Sequence, residues 1–284
     1  MKIAISTEST LDIPKELQKE YDINVIPFLV ILGDRSAVDG EITPQDIFDY
    51  VDQTGNLPKT SAINEFQYDQ YFSKLLRTHD AVIHLCLSSG ISSSCSNAMR
   101  AASIMKNVYV IDSQSLSSGI ALLAIYARKL ANKGLEPEEI VNKVERRVPY
   151  VQASFVINSL NYLYKGGRCS GLASFAAALF RIKPQIIVKD GKMMPQKKYH
   201  GRNDICVANY CRDTLEEFNN PDLSIAFVTH SHATEEMQKI AEDELRRRGF
   251  KTIYNTLAQA TITSHCGPKT IGILYINDGL DEEE

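Results

Sequence analysis

Serine residues dominate one short segment of the chain, HLCLSSGISSSCSNAMRAA, which runs from His84 to Ala102. Six of the nine residues between Ser88 and Ser96 are serine, and none of the nine carries a positive charge. A polar turn between a strand and a helix presents backbone N–H groups, which are typical anion ligands. Because the segment contains no lysine, it differs from a phosphate-binding Walker loop. The pattern predicts a turn that holds a ligand through neutral donors.

Three further polar clusters follow predicted strands. They are TESTLD (Thr7–Asp12), KTSAIN (Lys59–Asn64) and IDSQSLSSG (Ile111–Gly119). In doubly wound sheets, ligands bind beyond the carboxyl ends of the strands, so these hydroxyl-rich turns predict a crevice at that edge. The alternative is that their Ser, Thr and Asp residues only cap helices and form turns.

Positive charge comes from the second half of the chain. YLYKGGRCSG places Arg168 directly after two glycines, and arginine can bind a carboxylate through two hydrogen bonds. SHCGPKTIG places His265 before a Gly-Pro turn, where a histidine can hydrogen-bond an anion. A surface arginine after a helix C-cap and a structural histidine remain the alternatives.

Other arrangements of reactive residues are incomplete. THSH sets His230 and His232 two apart, but no further ligands complete a metal set, so we predict no metal site. Ser92, His265 and Asp112 are the residue types of a hydrolase triad, yet the chain has no GxSxG elbow. We therefore predict no catalytic residues and no cofactor.

The first half of the chain alternates strands with helices, which predicts a parallel α/β sheet. Strands are predicted at Lys2–Ser6, Asn24–Leu32, Ala81–Leu87 and Asn107–Ile111, and helices at Pro14–Glu20, Pro44–Val51, Glu65–Arg77, Ser92–Met105 and Gly119–Asn132.

In the second half, strands and helices no longer alternate regularly and a hairpin is present, which predicts an α+β domain. Asp190-Gly191 between two apolar stretches predicts a hairpin. Strands are predicted at Ala153–Ile157, Ser224–Thr229, Lys251–Leu257 and Ile271–Ile276, and helices at Glu138–Arg147, Asn203–Phe218 and Thr234–Arg248. We predict an N-terminal α/β domain over residues 1–150, with a separate excursion near 55–80, and a C-terminal α+β domain over 151–284, the ligand lying between them.

Composition excludes several classes of protein. The 284 residues are 44% hydrophobic and 23% charged, as in ordinary globular proteins, and the net charge of -4 argues against a nucleic-acid partner. No apolar run reaches the roughly eighteen residues of a membrane span, and no signal peptide is evident. Six scattered cysteines predict reduced thiols and a cytoplasmic location.

Two apolar segments follow the polar turns. Gly119–Ala127 and Gly171–Pro184 are interpreted either as core helices or as walls of a tunnel between the domains. A tunnel that buries an acyl chain would gain about 0.8 kcal/mol per methylene.

Taken together, the motifs resemble those of the DegV family of fatty-acid-binding proteins, and the resemblance covers nearly the whole chain. TESTLDIP is similar to the family's TDSTADLP, Thr60-Ser61 to the start of TSQP, and LSSGISSSCSNA to SSGLSGTYQSA. LNYLYKGGRCS is similar to LxYLxKGGRIS, and HCGPKTIG to HxGPGxxG. Glu8, Ala62, Ile63, Ser93 and Lys269 depart from these patterns.

The resemblance implies a two-domain protein that encloses one long-chain fatty acid in an apolar tunnel between its domains. Carried over by motif position, the residues that would hold the fatty-acid carboxylate are Thr60, Ser61, Ser92, Ser93, Arg168 and His265.

Some members of the family present their fatty acid to a separate fatty-acid kinase, which phosphorylates the carboxylate for phospholipid synthesis in bacteria. The family's basic segment VRGRKKA contributes to that docking, and here it reads YHGRNDI. Arg202 matches, whereas His200, Asn203 and Asp204 depart. The resemblance therefore implies a non-enzymatic carrier that acts with a kinase, docks through Arg202 and contacts membrane surfaces only transiently.

Two other classes of function stay open at this point. One is an α/β phosphotransferase or hydrolase that uses a serine of the Ser88–Ser94 turn with His265. The other is a regulatory protein that senses a small carboxylate.

Overall fold

The computed structural model describes residues 1–169 and 182–280, in which three sheets are flanked by helices. The strands are β1 (Ile3–Glu8), β2 (Ile23–Ile26), β3 (Leu29–Leu32), β4 (Arg35–Val38), β5 (Lys59–Ser61), β6 (Ala81–Cys86), β7 (Val108–Asp112), β8 (Val151–Val156), β9 (Ile182–Lys189), β10 (Lys192–His200), β11 (Ile225–Ser231), β12 (Thr252–Leu257) and β13 (Thr270–Ile276).

The helices of the described residues alternate with these strands through most of the chain. They are α1 (Lys15–Glu20), α2 (Pro44–Thr54), α3 (Glu65–Leu76), α4 (Ser94–Ala102), α5 (Ser118–Asn132), α6 (Pro137–Arg147), α7 (Leu160–Gly166), α8 (Asn203–Glu217), α9 (Glu235–Arg248) and α10 (Ala260–Cys266), with single 3₁₀ turns at Ser9–Leu11 and Val148–Tyr150.

The first sheet is entirely parallel, with the order β2–β1–β6–β7. Every residue of β1 and β6 is buried, as expected of central strands that have helices on both faces. The carboxyl ends of β1, β6 and β7 lead into the Thr7–Asp12 cluster, the serine turn and the Ile111–Gly119 cluster. These three clusters therefore share one edge of the sheet, as predicted, whereas the remaining cluster, Lys59–Asn64, begins as strand β5 of a different sheet.

The apolar run Asn24–Leu32 is two strands and not one, which corrects the prediction. Pro27 cannot donate to a strand ladder, and Phe28 N instead donates to Ser9 Oγ at 3.0 Å. The chain leaves the parallel sheet there. The strand β3 joins a small antiparallel sheet of order β4–β3–β5, in which Thr60 pairs with Val30.

The second half forms a six-stranded sheet of order β10–β9–β8–β13–β11–β12, antiparallel except for the pair β11 and β12. The predicted hairpin is confirmed between β9 and β10. Asp190 and Gly191 both have positive φ, 49° and 72°, as a type I′ turn requires. This sheet and the parallel sheet confirm the mixed α/β and α+β fold class.

The helix α5 lies between the two large sheets and contacts β1, β6, β8, β11 and β13. It is apolar and mostly buried, and one continuous core joins its residues to both sheets. The two halves therefore pack closely. The boundary at residue 150 and the excursion at 55–80 stay predictions, although the small sheet falls within residues 29–61.

Candidate functional site

The serines of the turn have different roles. Ser88 Oγ donates to Gly191 O at 2.6 Å, which ties the turn to the tip of the β9–β10 hairpin. Ser89 Oγ donates to the carboxylate of Asp112 at 2.5 Å. Ser94 Oγ accepts from a backbone N–H of the segment that follows β5. Half of the six hydroxyls therefore hold the turn in place.

Ser92 and Ser93 are the serines of this turn that line a cavity. The predicted helix from Ser92 begins only at Ser94, because the two preceding residues belong to the turn. Ser92 Oγ accepts from Ser94 N at 3.2 Å, so its own proton stays available for a ligand. Both hydroxyls stand at the entrance to α4.

Thr60 and His265, which lie 205 positions apart in the sequence, contact each other in the wall of the cavity. Thr60 Oγ1 is 2.8 Å from His265 Nε2. Burial and the nearby Arg168 guanidinium lower the pKa of His265 to about 4, so the imidazole is neutral near pH 7. His265 Nδ1 has no hydrogen-bond partner among the described residues. The ring therefore keeps one nitrogen that no described group satisfies.

The glycines before Arg168 are required by geometry. A Cβ on Gly166 would lie 2.9 Å from His265 Nδ1, and Gly167 ends α7 with a φ of 69°. Arg168 follows at once, lines the cavity and donates from Nη1 to Gly166 O at 2.6 Å. Within the described ranges no carboxylate forms an ion pair with it. Among the described residues that line the cavity, Arg168 is the cationic side chain that could bind an anion.

We call Thr60, Ser92, Ser93, Arg168 and His265 the head cluster. The rest of the cavity, which encloses about 1030 Å³ including its mouth, is largely apolar. Its wall combines residues of the serine turn with residues of the large sheet, among them Phe28, Ile91, Leu116, Phe155, Met193 and Leu274.

Several hydroxyl residues also line the cavity, but protein partners already bind them. Ser117 Oγ donates to Asp12 Oδ2 at 2.6 Å, and Thr270 Oγ1 donates to Cys266 O at 2.8 Å. Similar pairs join Thr229 to Ser118, Ser154 to Tyr210 and Ser231 to Thr263. His230 is an exception, because it lines the cavity and its Nδ1 has no hydrogen-bond partner among the described residues. The rest of the wall outside the head cluster offers few donors.

Two buried carboxylates of the N-terminal half hold the start of α10. Asp39 accepts from Ala260 N at 2.9 Å and from Thr261 N at 3.1 Å, and Asp12 Oδ1 accepts from Gln259 N at 2.7 Å. Burial raises the pKa of both carboxyl groups. Because α10 carries His265, these aspartates position the histidine. Sequence reasoning did not single them out, and their distance from α10 along the chain gives no local signal.

Several residues predicted for the site lie elsewhere. Ser61 is exposed and donates to Ala62 O at 3.4 Å, because neighbours in a strand point to opposite faces. Arg202 forms an exposed ion pair with Asp204 at 2.9 Å and does not line the cavity. Most of Gly171–Pro184, interpreted as a tunnel wall, lies outside the described residues.

The hydrolase triad is not assembled. Asp112 accepts hydrogen bonds from Ser89 and from Gln114 N, and His265 Nε2 faces Thr60. The serine, histidine and carboxylate of that alternative do not form a relay in the described structure.

Within the described residues, the fold and the cavity define a two-domain α/β protein with a ligand-sized, largely apolar cavity that is lined on one side by polar and cationic groups. The family model described as "Uncharacterised protein, DegV family" matches residues 2–278. The protein DegV of Bacillus subtilis is 30% identical over 280 residues, which cover 97% of this chain and 99% of that protein. The chain belongs to the DegV family, which confirms the resemblance seen in its motifs.

Solved structures of the family are closely similar to this one. The structure of a fatty-acid-binding DegV family protein from Thermus thermophilus has a TM-score of 0.90 at 25% identity. The match covers 98% of this chain and 100% of that one. A stearic-acid-binding protein from Eubacterium ventriosum has a TM-score of 0.83 at 26% identity, covering 98% of this chain and 99% of that one.

Two departures from the family motifs have different structural meanings. Lys269, where the pattern has glycine, adopts a φ of 59°, so the left-handed backbone is kept with a side chain added. Ser93 has a φ of -74°, a conformation that does not require glycine. The substitution at residue 93 therefore adds a hydroxyl to the head cluster without backbone strain.

Among the helices of the described residues, none combines the length and the apolar content needed to cross a bilayer.

Proposed function

We propose that this protein binds one long-chain fatty acid, with the acyl chain in the apolar cavity and the carboxylate at the head cluster. The observation that carries this proposal is a largely apolar cavity whose lining includes Arg168, a guanidinium with no ion-pair partner among the described residues. Related proteins whose names and structures record fatty acid or stearic acid as ligand support the same ligand class.

The head cluster matches the needs of a carboxylate. Arg168 supplies the charge, Ser92 and Ser93 supply hydroxyl donors, and the hydrogen-bonded pair of His265 and Thr60 keeps one further neutral donor. Because the carboxylate has one charge, one guanidinium suffices, which explains why the serine turn has no lysine.

Most of the affinity would come from the chain. At about 0.8 kcal/mol per methylene, a sixteen-carbon chain gains on the order of 12 kcal/mol before the costs of ordering. The head cluster then sets the orientation of the ligand. A small carboxylate would leave most of the cavity unfilled.

The first experiment identifies the ligand. We expect denatured and solvent-extracted protein to release close to one long-chain fatty acid per chain, measured by mass spectrometry. Folded protein that releases no lipid and binds none when fatty acid is added would contradict the proposal. Turnover of an ester or phosphoester by the protein alone would favour the enzyme alternative.

Substitutions then test the head cluster. Arg168→Ala should weaken fatty-acid binding by about 10- to 100-fold, since a charge-assisted hydrogen bond contributes about 1.5–3 kcal/mol. Ser92→Ala should weaken it less. Arg202→Ala and Ser61→Ala, which change the same residue types outside the cavity, are the matched controls. If Arg168→Ala and Ser92→Ala both bind like the wild type, the assignment of the carboxylate site is wrong.

The proposed partner is a fatty-acid kinase that phosphorylates the carried carboxylate in the cytoplasm, a compartment in which thiols stay reduced. The six cysteines, all within the described ranges, form no disulfide.

We propose Arg202 as part of the docking surface. Arg202→Ala should keep the fatty-acid affinity and lower the rate of ATP-dependent acyl-phosphate formation with a bacterial fatty-acid kinase. An unchanged rate would exclude Arg202 from the interface.

A further inference from the structure

A second group of reactive side chains lies beneath the serine turn, outside the cavity. Parallel pairing of β1 with β6 sets Ser6 beside His84. Because side chains alternate along a strand, Glu8 and Cys86, each two residues further on, share that face. Strand register thus brings a carboxylate, an imidazole and a thiol together.

These three side chains are close and wholly buried. The ligand atoms of Glu8, His84 and Cys86 all lie within 4.8 Å of one another, and none of the three residues is accessible to solvent. Cys95, in the first turn of α4 and equally buried, is a neighbour of Cys86 and contributes to the raised pKa of that thiol. Three potential metal ligands therefore converge from two neighbouring strands, and the thiol of Cys95 on α4 is the nearby candidate for a fourth.

The imidazole of His84 has one nitrogen without a partner. Its Nδ1 lies 2.8 Å from Ser6 Oγ, and Ser6 Oγ in turn donates to Tyr71 OH at 3.1 Å. The serine therefore accepts from Nδ1–H, which leaves Nε2 with a lone pair. Nε2 has no hydrogen-bond partner among the described residues. The ring also packs edge to face against Tyr68 and Phe72, at centroid distances of 5.3 and 5.2 Å, and an ion bound at Nε2 is one way to satisfy this buried nitrogen.

The carboxylate of Glu8 is oriented in the way that metal ligands are. Tyr68 OH donates to Oε1 at 2.6 Å, and Leu87 N donates to Oε2 at 2.5 Å. Each oxygen keeps a further lone pair. Outer hydrogen bonds of this kind, together with that of Ser6 to His84, fix ligand orientation in metal sites.

We propose that Glu8, His84, Cys86 and Cys95 form a structural zinc site. Mixed thiolate, imidazole and carboxylate ligands suit tetrahedral Zn²⁺, whose bonds of about 2.0–2.3 Å require donor atoms about 3–4 Å apart. To reach that spacing, the ligand atoms of Glu8, His84 and Cys86 have to draw closer than their present separations of up to 4.8 Å, and Cys95 has to turn toward them. The site is closed on all sides, so it would stabilise the junction of β1, β6 and α4 below the serine turn. Sequence analysis predicted no metal because these ligands form no compact motif.

The test uses untagged full-length protein from cells grown with added Zn²⁺ or Co²⁺. We expect close to one metal ion per chain by mass spectrometry. The Co²⁺ form should show thiolate-to-cobalt charge transfer and the visible bands of tetrahedral coordination. His84→Gln should lose the metal, whereas Cys211→Ala and His232→Gln, which remove potential ligands outside the cluster, should keep it.

A wild-type chain that holds neither metal, or a His84→Gln chain that is folded and holds as much as the wild type, would overturn the proposal. Should His84→Gln fail to fold, X-ray absorption of the wild-type Co²⁺ form decides the question. A mixed sulfur and nitrogen/oxygen shell supports the site, and a shell without sulfur overturns it. Fatty-acid binding is not needed for any of these results.

Discussion

Arg168 and His265 supply different properties to the same cavity end. The guanidinium of Arg168 supplies a positive charge, whereas burial and Arg168 itself hold the pKa of the His265 imidazole at about 4. A carboxylate would therefore meet one cation and one neutral ring. This combination lets the histidine orient the ligand without adding a second buried charge.

The lowered pKa of His265 predicts a pH-dependent stability. An unfolded histidine binds its proton near pH 6.5, but the folded one binds it only near pH 4. Between these values the unfolded chain binds more protons, so acidification favours unfolding. Lipid-free wild type should lose about 2–3 kcal/mol relative to His265→Gln as the pH falls from 6.5 to 4, measured by urea denaturation. Parallel pH profiles for the two proteins would show that His265 is not buried as described.

At the scale of elements, the start of α10 depends on a carboxylate from the other half of the chain. Asp39 accepts from Ser9 Oγ at 3.0 Å as well as from the N–H groups of Ala260 and Thr261. In Asp39→Asn an amide N–H₂ would face at least one of these donors. We expect a loss of about 1–3 kcal/mol in the free energy of unfolding and weaker fatty-acid binding, because α10 carries His265.

The matched control for Asp39→Asn is Asp49→Asn on α2, where the exposed carboxylate accepts from Gln45 Nε2 at 2.7 Å. Urea denaturation and a fatty-acid titration should show little change in this variant. Equal effects of the two substitutions would contradict a positioning role for Asp39.

The hairpin and the serine turn meet at two glycines. A Cβ on Gly90 would lie 2.5 Å from Gly191 O, closer than packing allows. Gly90→Ala should displace the hairpin, break the bond from Ser88 and lower the free energy of unfolding by about 1–3 kcal/mol. Because Met193 on the hairpin lines the cavity, lipid retention should fall too. Ser88→Ala, which removes only the hydrogen bond, should have a smaller effect in the same assays.

Features set by residues close together in the sequence were predicted correctly, whereas features set by distant residues were not. Asp190-Gly191 was predictable because a type I′ turn depends on two adjacent residues. The break at Pro27 was missed because apolar residues continue on both sides of it. Asp39 was missed, and Asp12 was named only as a member of the Thr7–Asp12 cluster, because their partners lie more than 200 positions away. Thr60 and Arg168 reach the cavity as the family motifs implied, whereas Ser61 does not, because strand alternation turns it outward.

At the scale of the whole molecule, the cavity draws its wall from both halves of the chain. Residues of the serine turn face Phe155 and Leu274 of the large sheet, and α5 joins the cores of the two halves. A ligand in this position contacts both sheets at once. Occupancy should therefore stabilise the molecule as a unit, and the strength of that effect should depend on the head cluster.

This expectation can be measured by denaturation with and without fatty acid. At a free ligand concentration of 100 times Kd, the free energy of unfolding should rise by about 2.7 kcal/mol. At the same concentration Arg168→Ala should gain less, because its Kd is larger, while Arg202→Ala should match the wild type.

In hydrogen exchange at short labelling times, protection should rise in β5, α10 and the serine turn and stay unchanged in α9, which does not line the cavity. Equal protection of α9 and α10, or equal stabilisation of Arg168→Ala and wild type, would place the ligand away from the head cluster.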